Sequence, residues 1–390
     1  MVLEMTTEVT GKKRTKVPFF RHSLGKPELA ATERVLNGLF LTTGPETNAF
    51  EQEFAAYLGA QHAIAVSSWT AGAFLVLKAW GIGPDDEVIV PAMTFVATAN
   101  IVEHAGARPV FVDVDPKTAL IDLEGVKRAI TARTKAIIPV HLYGQMVDMK
   151  ELKEIVGDRP IKILEDAAHC IEGERAGIRP GRIGDAAGFS FYATKNMTCG
   201  EGGAMITDDP ELDKTLRQIR LHGLSVSALT RHQKFSHWDM ELLGYKANMS
   251  DLQSALLRCQ LPKLEEWLKR REEICREYEA HLDRLGIGYP VILDGVKPAR
   301  HLFTMWVSPE KRDEFLGRLQ QKGVGVAVNY RAVHLTTYYR RKYGFKRGDF
   351  PVAEQIGDRT ISLPLYPSLT DEELGYVKEA IEEIAKEIGV

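Results

Sequence analysis

Residues 187–207 read AGFSFYATKNMTCGEGGAMIT, and this stretch does most to decide the fold. The apolar run from Ala187 to Tyr192 predicts a buried strand, and the run from Ala204 to Thr207 predicts another. Between them, Lys195 is followed by a glycine-rich loop, so we expect its amine to be fixed near a strand end and to face open space. Such a position suits a lysine that forms a Schiff base with a carbonyl compound.

A carboxylate follows a similar strand about thirty residues upstream, where residues 161–169 read IKILEDAAH. Open α/β sheets bind ligands at the edge where their strands end, so we expect Asp166 and Lys195 to meet there. Pyridoxal 5'-phosphate needs this pair, because a lysine holds its aldehyde and a carboxylate keeps its ring nitrogen protonated. The sequence therefore predicts this cofactor, with Lys195 and Asp166 as the catalytic residues.

Strand-like and helical patterns alternate along the first half of the chain. The other strand-like runs are Glu87 to Val90, Val110 to Val114, Ala136 to Val140 and Ile161 to Glu165. The helical patterns between them are Ala71 to Trp80, Phe95 to His104, Leu123 to Thr131 and Met149 to Val156. This alternation predicts an α/β fold, in which helices flank a mostly parallel sheet.

The second half of the chain predicts a long helical region and a smaller α+β domain. The helical pattern from Asp251 to Leu285 contains Pro262, which should kink or break it. Later strand signals and helices are Leu302 to Val307, Gly325 to Val328, Arg312 to Gln321 and Asp371 to Ile388. We predict an N-terminal arm and a large cofactor-binding domain in residues 1–250, a connecting helix region in 251–285, and a small C-terminal α+β domain in 286–390.

Composition is typical of a cytoplasmic enzyme. The chain has 390 residues, of which 44% are hydrophobic, and its formal net charge of -3 gives no bias toward nucleic acid or anionic membranes. We expect neither a signal peptide nor a membrane span, because the most apolar run is short and interrupted by polar residues. The four cysteines show neither a disulfide framework nor metal-ligand spacing, which suits a reducing compartment.

Three blocks in fixed order resemble the DegT/StrS family of pyridoxal-phosphate-dependent nucleotide-sugar aminotransferases, which have the fold type I of aspartate aminotransferase. They are EDAAH at 165–169, SFYATKNMTCGEGGAMIT at 190–207 and GYKANMSDLQSAL at 244–256. The likeness extends from TTGPETNAFEQEFAAYLGA at 42–60 to FPVAEQIGDRTISLPLYPSLTDEE at 350–373. Sugar dehydratases related to this family have histidine in place of the lysine, so Lys195 indicates the aminotransferase branch.

A helix start is the predicted site of the cofactor phosphate, because free backbone N–H groups and the helix dipole favour an anion there. The resemblance assigns this role to Thr70 and Ala71, with the Ser190 hydroxyl as a further contact. Trp69, between Ser68 and Thr70, stands where the family usually has a small residue.

The resemblance also assigns the contacts to the cofactor ring. It implies that Phe95 stacks on one face of the ring, that Ala168 covers the other, and that His169 lies near the phenolic oxygen or the substrate. Phe95 and His169 have plainer alternatives, since Phe95 could be a core phenylalanine and a lone histidine is more often structural.

Asn248 matches an asparagine that reaches the phosphate from the other subunit, which implies a homodimer with shared active sites. Lys246, in the GYK-x-N form of the motif, resembles the branch that acts on UDP-linked 4-keto sugars. The candidate substrate-binding residues are Thr43, Gly44, Tyr330 and His334, each of which could equally be a turn or surface residue.

The predicted reaction moves an amino group from glutamate to the keto group of a UDP-linked 4-keto-6-deoxy sugar, with pyridoxamine phosphate as the intermediate form of the cofactor. Such a reaction belongs to amino sugar and polysaccharide biosynthesis. Two alternatives stay open. The acceptor could be a 3-keto sugar, a cyclitol or a non-sugar ketone, or the chain could be a non-catalytic regulatory or binding protein on the same fold.

Overall fold

The computed structural model describes residues 16–225 and 237–390, so the first part of the predicted N-terminal arm lies outside the described residues. In chain order, the helices are α1 Lys26–Leu36, α2 Pro45–Leu58, α3 Trp69–Ala79, α4 Ala97–Ala105, α5 Leu123–Ala129, α6 Met149–Val156, α7 Pro210–Ile219, α8 Asp251–Gln260, α9 Leu264–Leu285, α10 Pro309–Gln321, α11 Thr337–Tyr343, α12 Pro351–Arg359 and α13 Asp371–Ile388. The strands are β1 His62–Val66, β2 Glu87–Pro91, β3 Arg108–Val112, β4 Thr134–Ile137, β5 Lys162–Asp166, β6 Glu174–Arg175, β7 Ala186–Ser190, β8 Gly203–Thr207, β9 Val296–Lys297, β10 Phe303–Trp306 and β11 Thr360–Leu363.

Seven strands form the central sheet in the order β1-β8-β7-β5-β4-β2-β3. The pairs from β7 across to β3 are parallel, and β8 runs antiparallel to both of its neighbours. Strands β2, β7 and β8 are buried along their whole length, which explains their continuous apolar sequences. The predicted α/β fold with a mostly parallel sheet is confirmed.

The register of the sheet brings two functional strand ends together. Strand β5 pairs with β7, and Asp166 lies opposite Gly188 in this pair. Because the two strands run in parallel, Asp166 and Ser190 lie near the same edge of the sheet. Lys195 lies five positions after Ser190, the last residue of β7, so the loop that carries it starts at this edge.

Residue 262 marks a break in the long helical region, as predicted. Helix α8 ends at Gln260, a 3-10 turn spans Leu261–Lys263, and α9 then runs for 22 residues from Leu264.

Beyond α9, strand β10 pairs with β11 in a separate antiparallel sheet. None of the helices that the structure describes combines the length and apolar character needed to cross a bilayer.

The strand predicted at Gly325 to Val328 is wrong. This segment makes only isolated contacts: the Gly325 N–H donates to the Val17 carbonyl at 2.8 Å, and Ala327 forms a single bridge to Ser362. A Cβ on Gly325 would come within 2.3 Å of the Phe19 backbone nitrogen, so the glycine permits a close crossing of two chain segments. This crossing and the single bridge take the place of a strand ladder.

Buried apolar side chains form two main clusters. The larger surrounds the central sheet, and it also includes Val333, Tyr339 and Ile356 from the C-terminal part. The second combines side chains of α9, β10, α10, β11 and α13. The domain boundaries at residues 250 and 285 stay a prediction.

Candidate active site

A cavity of about 510 Å³ opens where β5 and β7 end. Its walls include Ser68, Phe95, Asp166, Lys195 and Tyr330. The cavity therefore brings the predicted amine and carboxylate together with the predicted aromatic residue and the helix start. It has the size of a pocket for a small molecule.

Asp166 is a buried carboxyl group at the end of β5, with 5% of its surface exposed. The Thr98 hydroxyl donates a hydrogen bond to its Oδ2 at 2.9 Å, and the Ala168 N–H donates to its Oδ1 at 3.1 Å. Burial raises the pKa of Asp166 to about 6, against the effect of these two bonds and of Lys195. Both bonds orient the carboxyl group toward the cavity that it lines.

Lys195 lines the same cavity, and its backbone N–H donates to the Tyr192 carbonyl at 2.9 Å. Burial lowers the pKa of its amine to about 8, while Asp166 acts in the opposite direction. Among the ion pairs of residues 16–225 and 237–390, none joins Lys195 to Asp166 within 4.0 Å. The two groups thus face one space without pairing with each other.

The first turn of α3 supplies a site for an anion. Ser68 caps the helix, because its side chain accepts a hydrogen bond from the Ala71 N–H at 3.1 Å. Three residues with hydroxyl groups line the cavity here: Ser68, Thr70 and Ser190. Helix N–H groups and hydroxyls together are a typical phosphate site.

Trp69 fills space in the core beneath this turn. Its side chain is 5% exposed, and its Nε1 would lie 2.7 Å from a Cβ placed on Gly188. Glycine in β7 therefore makes room for the indole ring. This packing accounts for a large residue at a position where the resemblance leads one to expect a small one.

Phe95, Ala168 and His169 all line the cavity. The Phe95 side chain is 56% exposed, so a face of the ring is free to stack on a ligand. His169 accepts from the Tyr143 N–H at 3.3 Å through Nδ1, and its Nε2 lies 3.2 Å from the Tyr330 hydroxyl. Burial and the charge of Lys195 hold the pKa of His169 well below its usual value, so its ring is neutral.

Asn248 and the loop before α2 lie outside the cavity. The Asn248 amide donates to the Thr43 hydroxyl at 2.7 Å, and the Thr43 hydroxyl donates to the Met249 carbonyl at 2.6 Å. The Gly44 N–H donates to Asp251 Oδ1 at 2.8 Å. Within one chain, Asn248, Thr43 and Gly44 therefore form a cluster beside α8. Ala71, predicted to bind the phosphate, does not line the cavity either.

The substrate-binding role predicted for His334 is not supported by its position. Its side chain is fully buried, and its Nε2 lies 3.0 Å from Glu354 Oε1. Glu354 also accepts from the Gly348 N–H at 2.8 Å. Through Glu354, His334 thus helps to hold a loop of the C-terminal part. The sequence alone could not distinguish this structural role from a contact with substrate.

Sequence reasoning missed three residues of the site. Thr98 orients Asp166, Asn196 follows Lys195 and holds its loop, and His301 lines the cavity from the segment before β10. Asn196 lies next to the lysine within the same motif, so its position along the chain was a usable signal. His301 lies far from the motifs along the chain, and only the tertiary fold brings it to the cavity.

The profile of the DegT/DnrJ/EryC1/StrS aminotransferase family matches residues 22–382. The chain is 42% identical over 383 residues to the spore coat polysaccharide biosynthesis protein SpsC of Bacillus subtilis, across 96% of this chain and 98% of that protein.

Solved structures agree with these sequence comparisons. The PMP form of the putative sugar aminotransferase Spr1654 from Streptococcus pneumoniae superposes with a TM-score of 0.90 at 30% identity, over 95% of this chain and 100% of that one. S. venezuelae DesV, solved in complex with a ketimine intermediate, gives a TM-score of 0.87 at 37% identity, over 95% and 98% of the two chains.

Proposed function

Because this chain belongs to the DegT/DnrJ/EryC1/StrS aminotransferase family, and is a pyridoxal-phosphate-dependent sugar aminotransferase, we propose that it transfers an amino group from glutamate to a UDP-linked 4-keto-6-deoxy sugar. The observation that carries the proposal is the cavity that Lys195 and Asp166 share.

The residues of the cavity fit pyridoxal 5'-phosphate. Asp166 offers a buried carboxylate for the ring nitrogen, the exposed face of Phe95 offers a stacking surface, and the start of α3 offers hydroxyl and N–H groups for the phosphate. Lys195 is the one lysine that lines the cavity within the described residues. We propose that Thr70, Ala71, Ala168, His169 and Ser190 complete the cofactor site.

When bound, the cofactor supplies an aldehyde carbon that condenses with amines and a protonated ring that withdraws electrons from the carbon losing its proton. Lys195 would hold the cofactor's aldehyde carbon through its Nζ. The same Nζ, whose pKa of about 8 leaves part of it as the neutral amine near pH 8, would carry the proton that leaves the donor's α carbon to the cofactor carbon, and would run this transfer in reverse for the acceptor. Asp166 would keep a proton on the ring nitrogen through the charge of its carboxylate.

Three features support the proposed sugar acceptor. The name of SpsC refers to polysaccharide biosynthesis, and Lys246 stands in the motif form that resembles enzymes for UDP-linked 4-keto sugars. Tyr330 lines the cavity and is available to the substrate. A 3-keto sugar, a cyclitol or a non-sugar ketone stays the alternative acceptor, whereas a non-catalytic role is set aside because the family is one of aminotransferases.

Asn248 supports a shared active site. Its amide lies outside the cavity of its own chain and beside Thr43, so we propose that it contacts the phosphate of the neighbouring subunit in a homodimer.

We also propose that the protein is cytoplasmic, because its four cysteines are free, as is usual in a reducing compartment.

The test is a half-reaction experiment. Purified protein loaded with the cofactor should be yellow, should bleach on addition of glutamate, and should regain its colour with the correct ketone. A panel of UDP- and dTDP-linked 4-keto and 3-keto sugars, with cyclitol and simple ketones, identifies the acceptor.

Lys195→Ala should lose the colour change and slow transamination at least about a hundredfold, because it removes both the attachment and the proton carrier. Lys214→Ala, at an exposed position on α7, is the matched control and should behave as wild type. Recovery of colour with free ketones but with no nucleotide-linked sugar would refute the proposed acceptor.

A further inference from the structure

Asn196, which follows Lys195, has a fixed amide orientation. Its Nδ2 donates to Glu172 Oε2 at 2.9 Å and to the Ala299 carbonyl at 3.0 Å, and both of these oxygens can only accept. Its Oδ1 is therefore the atom that lies 3.0 Å from Nδ1 of His301. Since Oδ1 is an acceptor, Nδ1 of His301 carries the hydrogen.

The other ring nitrogen of His301 is an unused acceptor. Burial, Lys195, His169 and Arg271 hold the pKa of His301 well below its usual value, so the ring is neutral and its Nε2 has a free lone pair. Within the described part of the chain, this Nε2 makes no hydrogen bond, although His301 is only 5% exposed and lines the cavity with Lys195. Because His301 lines the cavity, this acceptor is open to a ligand group that donates.

The ring is held in place from two sides. Glu172 is fully buried and accepts from the Arg271 guanidinium at 2.6 Å, which fixes the carboxylate that orients Asn196. The rings of His169 and His301 lie 4.4 Å apart. His301 therefore presents Nε2 to the cavity in a preorganised direction.

We propose that Nε2 of His301 accepts a hydrogen bond from a hydroxyl group of the sugar substrate and so positions the sugar beside Lys195. The inference rests on the proposed function. Sugars offer several hydroxyl donors, whereas the carboxylates of glutamate can only accept, and its ammonium group is the group that is transferred. His301 should therefore act on the sugar half-reaction more than on the glutamate half-reaction.

Two variants separate binding from structure. His301→Asn keeps an N–H close to the position of Nδ1, for the bond to Asn196, but removes the acceptor at Nε2. His301→Gln places an amide oxygen near the position of Nε2. We expect His301→Asn to raise KM for the accepted keto-sugar roughly three- to tenfold more than it raises KM for glutamate, and His301→Gln to recover part of this loss.

The experiment uses the cofactor-loaded enzyme, the UDP-linked 4-keto-6-deoxyhexose or whichever panel sugar the wild type accepts, and thermal unfolding of each variant as a check on folding. Calorimetric binding of the same nucleotide-linked sugar should weaken in parallel in His301→Asn. Equal changes in both half-reactions, or a shift in the cofactor absorbance without a change in sugar KM, would overturn the inference alone. A wild type that reacts with glutamate but with no sugar would overturn the proposed function and this inference with it.

Discussion

Asp166 carries a stability cost that should be measurable in the cofactor-free protein. Burial raises its pKa from 3.8 to about 6, so the folded state favours the protonated carboxyl group. This stabilisation of the folded state is fully present below pH 4 and is lost as the pH rises through 6, because burying the charged carboxylate is unfavourable. We expect Asp166→Asn to unfold with a free energy about 3 kcal/mol higher than wild type at pH 8. The difference should shrink toward zero at pH 4.

Chemical unfolding at pH 4, 6 and 8 measures this effect. Asp158→Asn, at an exposed position, is the control for loss of a carboxylate and should change the free energy of unfolding by less than about 0.5 kcal/mol. The same Asp166→Asn variant should lose most of its transaminase activity, because a neutral amide no longer stabilises a proton on the ring nitrogen. A variant that is less stable than wild type at pH 8 would contradict the assigned pKa shift.

At the scale of elements, β8 and the start of α3 are in close contact at Gly203. A Cβ on this residue would come within 2.5 Å of the Trp69 backbone nitrogen, and neither backbone can yield without moving the phosphate site. We expect Gly203→Ala to destabilise the protein by roughly 1–3 kcal/mol and to weaken binding of the cofactor.

Gly375→Ala is the matched control for this change. Gly375 lies within α13, and a Cβ added there would meet nothing within 4 Å, so alanine should stabilise the helix by about 0.5–1 kcal/mol. Denaturant unfolding and cofactor titration of both variants give the comparison. A Gly203→Ala protein with wild-type cofactor affinity would show that the two elements are not coupled.

The elements of the large sheet could be predicted from the sequence because they are continuously apolar and separated by strong turn signals. Strand β5 is predicted as Ile161 to Glu165 and lies at Lys162–Asp166, and the helix predicted at Met149 to Val156 has the same bounds in the structure. The failures came from tertiary contacts. Gly325 to Val328 has strand-like residues but crosses the N-terminal segment, and His301 reaches the cavity through chain folding that no local pattern reveals.

At the scale of the whole molecule, the Glu172–Arg271 ion pair ties the region after β5 to α9. Both side chains are buried, and removal of one partner leaves an uncompensated charge. We expect Arg271→Met to cost about 3–5 kcal/mol in unfolding free energy. Adding Glu172→Gln should recover part of this loss, because it removes the unpaired charge and can still accept from Asn196.

Unfolding of the two single variants and the double variant gives the coupling energy directly. Strictly additive costs would show that the ion pair does not connect these parts of the fold.

The proposed shared site predicts complementation between inactive subunits. If Asn248 serves the partner's cavity, a mixed dimer of Lys195→Ala and Asn248→Ala subunits has one intact site, and random mixing should restore about a quarter of wild-type activity. A mixture of Lys195→Ala with Asp166→Asn is the control. It should restore none, because both residues line the same chain's cavity. Failure of the first mixture to gain activity would refute a contribution of Asn248 to the partner's cavity.

The two walls of the cavity come from separate stretches of the chain. Ser68, Asp166 and Lys195 belong to the sheet and its first helices, whereas His301, Leu302, Asn329 and Tyr330 come from beyond α9. Natural variation can therefore alter the later stretch, and with it the range of ketones accepted, while the chemistry of the earlier stretch is retained. Directed-evolution libraries aimed at a new amino sugar should randomise positions 301, 302, 329 and 330 first.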